Sequence, residues 1–185
     1  MQDFFCYTVE NMSKVVVLID GSNFYYKVKS LGFKELLSFD YSRFIQFLVG
    51  KKSLVGSTYF IGKVKTDKTP QSQKFHKNQQ KLLSHLKKHR VDYKLGYLLK
   101  SDGKYHEKGV DVQIAVDILV AAYENTADHV ILISSDTDLI PSIRKAQSLG
   151  KTIEYIGFSH QKSIALVAEC KESRLLKPED IEEFI

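Results

Sequence analysis

The sequence predicts an α/β protein: a parallel sheet with helices over both faces. Short runs of aliphatic residues, clearest at 15–19 and 130–133, are the pattern of strands buried on both faces. Between such runs lie segments whose apolar residues recur at helical spacing. Strands and helices therefore alternate, as they do where crossovers join parallel strands. The two clearest runs also end alike, since 15–23 reads V-V-V-L-I-D-G-S-N and 130–138 reads V-I-L-I-S-S-D-T-D. Open parallel sheets bind ligands outside the carboxyl ends of their strands, where the strand order reverses. Acidic residues at two such ends mark the place to look for chemistry.

The elements follow in order. Residues 1–13 read as a loosely docked lead-in to a first strand at 14–19. Gly21 permits a tight turn, and Ser22 or Asn23 is a suitable cap for a helix that ends at Gly32. Asp40 or Ser42 could cap a second helix, with Phe44, Ile45, Phe47 and Leu48 at helical spacing. A second strand, rich in aromatic and β-branched residues, is expected at 57–64. Residues 65–72 carry loop chemistry, and 73–89 is a long polar helix with few inward candidates. The third strand is expected at 91–99, followed by a turn at Ser101-Asp102-Gly103. The helix at 110–124 is apolar nearly all round and should be largely buried. After the fourth strand at 130–134, Asp138 or Thr137 caps a helix with Pro141 in its first turn and Gly150 past its end. A fifth strand at 152–157 and helical pieces at 164–169 and 178–185 close the chain. The reading is one domain over 1–185, with a core of about 14–157 and a C-terminal helical extension at 158–185.

Charge narrows the partner. The 185 residues hold 27 Lys and Arg against 22 Asp and Glu, a net charge of +5. Residues 51–108 contain 15 basic and 4 acidic residues, a net of +11, against −6 for the remainder. A cationic stretch in a chain whose strand ends are acidic suits a polyanion held beside a metal, and nucleic acid is the obvious polyanion. A solvated basic surface is the plainer alternative. The apolar runs are too short for a bilayer span and the N-terminus lacks a signal-peptide pattern, so no membrane partner and a cytoplasmic location are expected. Cys6 and Cys170 give no disulfide framework and no Cys-rich zinc motif, and Cys170 reads as a small core residue.

The candidate chemistry lies in carboxylates. Asp136 and Asp138, two positions apart at the end of a buried strand, repel each other unless a cation or donor offsets them. Asp20 ends the first strand; alone it would pass as a turn residue or helix cap. Asp111 opens the apolar helix, where the macrodipole favours an acid and a metal would use the same carboxylate. Convergence of these four on Mg²⁺ or Mn²⁺, hard cations that prefer oxygen, is the expectation. Asn23, Ser22, Ser135 and Asp117 are supporting candidates; Asp117, set among apolar neighbours, could accept bonds from Ser22, Asn23 or a strand-end backbone. Lys63, Lys65 and Lys108 are candidates for holding phosphates, and Tyr93, Tyr97 or Tyr105 for stacking bases if exposed.

Three motifs in order, I-D-G-S-N-F at 19–24, K-G-V-D-V-Q-I-A-V-D at 108–117 and I-S-S-D-T-D-L-I-P at 133–141, resemble the NYN domain of the PIN-like nuclease superfamily. The resemblance implies a Rossmann-like three-layer α/β/α sandwich with five parallel strands ordered 3-2-1-4-5. It also implies an acidic cluster that binds Mg²⁺ or Mn²⁺ and cleaves RNA. By position, the acids of that cluster fall on Asp20, Asp111, Asp136 and Asp138, with Asn23 beside the first and Asp117 at a recurrent acidic position. The basic 51–108 segment matches nothing specific in the family. A non-catalytic RNA-binding or adaptor module on the same fold is the alternative, and homo-oligomerisation stays open.

Overall fold

The computed structural model describes residues 12–33, 36–64, 69–101 and 104–185, with side chains at 98–101 and 104–107 left aside. The lead-in at 1–11, Cys6, Lys65 and the turn at 102–103 lie outside the described residues.

Strand β1 (Lys14–Asp20) is central. It pairs in parallel with β2 (Ser53–Ile61) on one side and β6 (His129–Ile133) on the other. β3 (Asp92–Leu95) adds to β2, while β7 (Thr152–Phe158) and β8 (Glu172–Leu176) extend the sheet beyond β6. The order β3-β2-β1-β6-β7-β8 contains the expected 3-2-1-4-5 arrangement with a sixth strand added at one edge. That strand corrects the expected five and replaces part of the helical ending.

The pleat sends alternate residues of β1 and β6 to opposite faces. Val15, Val17, Ile19, Ile131 and Ile133 face helices α1 (Gly21–Ser30), α2 (Tyr41–Val49), α3 (Pro70–Lys88) and α7 (Pro178–Glu182). Leu18, Val130 and Leu132 face α4 (Val110–Tyr123), α5 (Ile140–Ser148) and α6 (Ile164–Glu169). The result is a three-layer α/β/α sandwich with an apolar core on each side of the sheet. Cys170 packs into the second core, and burial pushes its thiol up to about 12.

Three local expectations change. The single strand expected at 91–99 breaks at Gly96, where a Cβ would lie 2.8 Å from the Val110 side chain and 3.1 Å from the Lys108 carbonyl. The chain leaves the sheet there and forms a hairpin of β4 (Tyr97–Ser101) and β5 (Lys104–Lys108). Second, α4 is not largely buried: Ile114, Ile118 and Ala122 meet the sheet side, but Val112, Val116, Val120 and Tyr123 form an exposed face. An apolar composition sets no limit on which side of a helix is covered. Third, Asp20 itself caps α1, in place of Ser22 or Asn23. Asp136 likewise caps a single 3₁₀ turn at Thr137–Leu139, ahead of α5.

Candidate functional site

The strand order reverses between β1 and β6, and both of these strands run out beside a cleft of about 510 Å³. Asp20, Ser22, Asn23 and Tyr26 line it from the β1–α1 junction, and Asp136 from beyond β6. Lys108, Gly109, Val110 and Asp111 line it from the hairpin end and the start of α4. Three segments separated by about ninety and twenty-five residues thus meet at one opening, as the rule for doubly wound sheets requires.

Asp20 is the most constrained of these groups. It is only 6% exposed. Its Oδ1 accepts the Asn23 N–H at 3.0 Å, and its Oδ2 accepts the Ser134 hydroxyl at 2.8 Å. The same Ser134 oxygen accepts the Asp136 N–H at 3.1 Å, so one hydroxyl ties the ends of β1 and β6 together. Register explains the contact: Ile19 pairs with Ile133, which sets Ser134 level with Asp20. Burial raises the Asp20 carboxyl above its ordinary range, and the Asp136 charge adds to the rise; the bonds from Asn23 and Ser134 work against them. A buried carboxylate next to a second one is a poor resting place for negative charge without a cation.

Beneath it, Gly21 admits no side chain. A Cβ there would sit 2.2 Å from the Tyr59 ring and 2.6 Å from the Phe60 carbonyl. The Tyr59 hydroxyl donates to the Gly21 carbonyl at 3.1 Å, which fixes the turn that carries Asp20.

The remaining candidates divide. Asp111 and Lys108 stand in the cleft with Asn23 and Ser22. Asp138 is exposed and outside the lining; its N–H donates to Asp136 Oδ1 at 2.9 Å. Asp117 also lies outside the lining. Rather than meeting Ser22 or Asn23, it accepts two bonds from Lys94 of β3, at 2.7 and 2.8 Å. Ser135 and Lys63 are not lining residues, and Lys65 falls outside the described residues. Tyr97 is exposed, while Tyr93 is half-buried under Lys87.

Sequence reasoning missed Ser134 and Tyr26. Ser134 was legible in principle, because the residue beyond Ile133 must face the end of β1 once the strands pair. Tyr26, 68% exposed on α1, carried no sequence signal that sets it apart from the neighbouring Tyr25.

The donors around the cleft are carboxylate, amide and hydroxyl oxygens, with no sulfur and no imidazole among the lining residues. That set fits a hard divalent cation such as Mg²⁺ or Mn²⁺. The raised carboxyl of Asp20 beside Asp136 supplies the electrostatic reason for one.

Fold and cleft together define a doubly wound α/β protein with an acidic site at its topological switch point. The NYN domain model matches residues 14–176, and the chain belongs to the NYN domain family. No curated protein matches the chain. Among solved structures, a protein of unknown function from Vibrio parahaemolyticus is similar at 22% identity, with a TM-score of 0.66 over 98% of this chain and 99% of that one. The 5′-exonuclease of bacteriophage T5, solved with bound zinc, is similar at 15% identity, with a TM-score of 0.46 over 83% of this chain and 60% of that one. The T5 D15 flap endonuclease, solved in a complex with DNA and metal ions, is similar at 16% identity, with a TM-score of 0.45 over 80% and 56%.

Proposed function

We propose that the protein is a metal-dependent ribonuclease that hydrolyses phosphodiester bonds of RNA at the cleft between β1, β6 and α4. The observation that carries this reading is the meeting of Asp20, Asp111 and Asp136 with Lys108 at one opening, three acids for a cation and one base for a phosphate. Membership of the NYN family supports it.

Asp20, Asp111 and Asp136 would hold Mg²⁺ or Mn²⁺, which when bound lowers the pKa of a water and polarises a phosphoryl oxygen. Ser134 and the Asn23 N–H hold the Asp20 carboxylate in place, so that it need not reorganise when substrate arrives. The Asp138 N–H does the same for Asp136, and the exposed Asp138 carboxylate would bind the ion directly or through water. Lys108, also in the lining, would offer a cation to a scissile phosphate. Asn23 offers an amide beside Asp20 that can orient a phosphate or the attacking water, and Ser22 a hydroxyl. The basic 51–108 segment supplies the remaining attraction for the strand, independent of sequence.

The test is cleavage of single-stranded RNA by purified protein with Mn²⁺ or Mg²⁺, alongside Asp136→Asn. Metal-dependent cutting that disappears in the folded variant supports the reading. Binding of RNA with a steep salt dependence but no turnover would make the protein an adaptor.

A further inference from the structure

We propose a second metal site, of the zinc class, at the opposite end of the sheet: His129, Glu154 and Glu172 are set to hold one late divalent cation between β6, β7 and β8. Their ligand atoms, an imidazole nitrogen and two carboxylate oxygens, all lie within 4.8 Å of one another.

Register assembles the cluster. Glu154 on β7 pairs with Glu172 on β8 and with Ile131 on β6, and His129 lies two residues before Ile131, on the same face of the sheet. His129 begins β6, whereas Asp136 follows its other end. At about 3.3 Å per residue the two sites are roughly 20 Å apart.

The geometry is already close to that of a coordination sphere. Ligand bonds of 2.0–2.2 Å in a tetrahedral zinc site put neighbouring ligand atoms about 3.4 Å apart. His129 Nε2 lies 3.1 Å from Glu154 Oε2 and 3.9 Å from Glu172 Oε2, which brackets that spacing. A neutral imidazole has one N–H, and a single proton on Nε2 satisfies one of these two carboxylates. A cation between them satisfies both, and takes the deprotonated nitrogen as its third ligand.

Burial divides the cluster into a closed side and an open one. His129 and Glu154 are 4% and 3% exposed, and Glu172 is solvent-facing, so the site has a dry floor and an open mouth. Arg174 binds the other Glu154 oxygen, Oε1, at 2.6 and 3.0 Å, and reaches the Leu48 carbonyl at the end of α2 at 3.1 Å. A carboxylate held from behind while its second oxygen faces the ion is the usual support for a metal ligand. Burial works to raise the Glu154 carboxyl, while the bonds from His129 and Arg174 and the charges of Arg174 and Lys52 hold it below the usual range. Lys52 Nζ, 3.8 Å from the same Oε2, is the competitor that an ion must displace; its side chain is partly exposed. The nitrogen donor favours Zn²⁺ over Mg²⁺.

Zinc binding is measured by calorimetry on chelator-stripped full-length protein carrying Asp20→Asn and Asp136→Asn, which removes carboxylates of the cleft. One Zn²⁺ per chain is expected to remain. Adding Glu172→Gln, at an exposed side chain, should weaken it by more than about a hundredfold, beyond the roughly ten- to hundredfold that loss of a supporting partner alone costs. His129→Gln should abolish it, and Lys52→Met should tighten it. X-ray absorption of the zinc-loaded protein should show one imidazole in the ligand shell. Absence of zinc binding in this background, or binding that Glu172→Gln leaves unchanged, would overturn the proposal and leave the cluster as an ion-pair network. Neither result bears on cleavage at the cleft.

Discussion

The Ser134 hydroxyl donates to Asp20 Oδ2 at 2.8 Å, and its oxygen also accepts the Asp136 N–H at 3.1 Å. The residue just past β6 thereby fixes the carboxylate that ends β1. Ser134→Ala removes that donor from a buried acid. The protein should lose about 1.5–3 kcal/mol of stability where Asp20 is ionised, the usual cost for a bond to a charged group. The acid limb of the rate-against-pH profile should move upward, because one of the bonds that lower the Asp20 carboxyl is gone. Denaturant unfolding and a pH–rate series check the two effects separately.

The buried Asp20 carboxylate costs stability at neutral pH that a bound cation would recover. Its carboxyl is raised in the folded state, so the folded protein favours the protonated form relative to the unfolded chain. The stability this gives is fully present below the ordinary value of 3.8 and is lost as pH rises through the raised value. At neutral pH the metal-free Asp20→Asn variant should therefore melt above the native protein, and Mn²⁺ should raise the melting temperature of the native protein more than that of the variant. Thermal unfolding with and without Mn²⁺ decides it.

Gly21 is a steric requirement. Gly21→Ala drives a methyl into the Tyr59 ring and the Phe60 carbonyl, at separations that a real Cβ does not adopt. Overpacking of this severity should cost about 3 kcal/mol and displace the Asp20 turn. Loss of stability together with loss of Mn²⁺ binding is the expected pair of results.

Lys108 tests the phosphate side of the cleft. Lys108→Ala should weaken RNA binding about equally across sequences, and lower the slope of log affinity against log salt by about one. A change in sequence preference instead would mean that Lys108 reads bases.

Much of this was legible in the chain because apolar periodicity reports burial. Strands β1 and β6 hold continuous aliphatic runs, and the acids that follow them mark the cleft in the sequence itself. Strand β8 was illegible for a physical reason. Its sequence E-S-R-L-L reads as polar, yet Arg174 pairs with the buried Glu154 while Glu172 stands exposed beside His129, and a charge paired with a buried group looks the same in sequence as one in water. The capping roles of Asp20 and Asp136 were misassigned by one to three residues. Ser22, Asn23 and Asp138 are equally good caps by composition, and only the geometry of the strand end chooses between them. Asp117 was expected to serve the cleft because acids are rare on apolar helices; Lys94, on a strand distant in sequence, is what it meets.

The proposed role of the crowded carboxylates at this rim is to bind a divalent ion. Anomalous scattering from a crystal soaked in Mn²⁺ measures that directly. A peak in the cleft between Asp20, Asp111 and Asp136, absent in Asp136→Asn, is the predicted result. A fully soaked crystal of native protein with no peak in the cleft would contradict it.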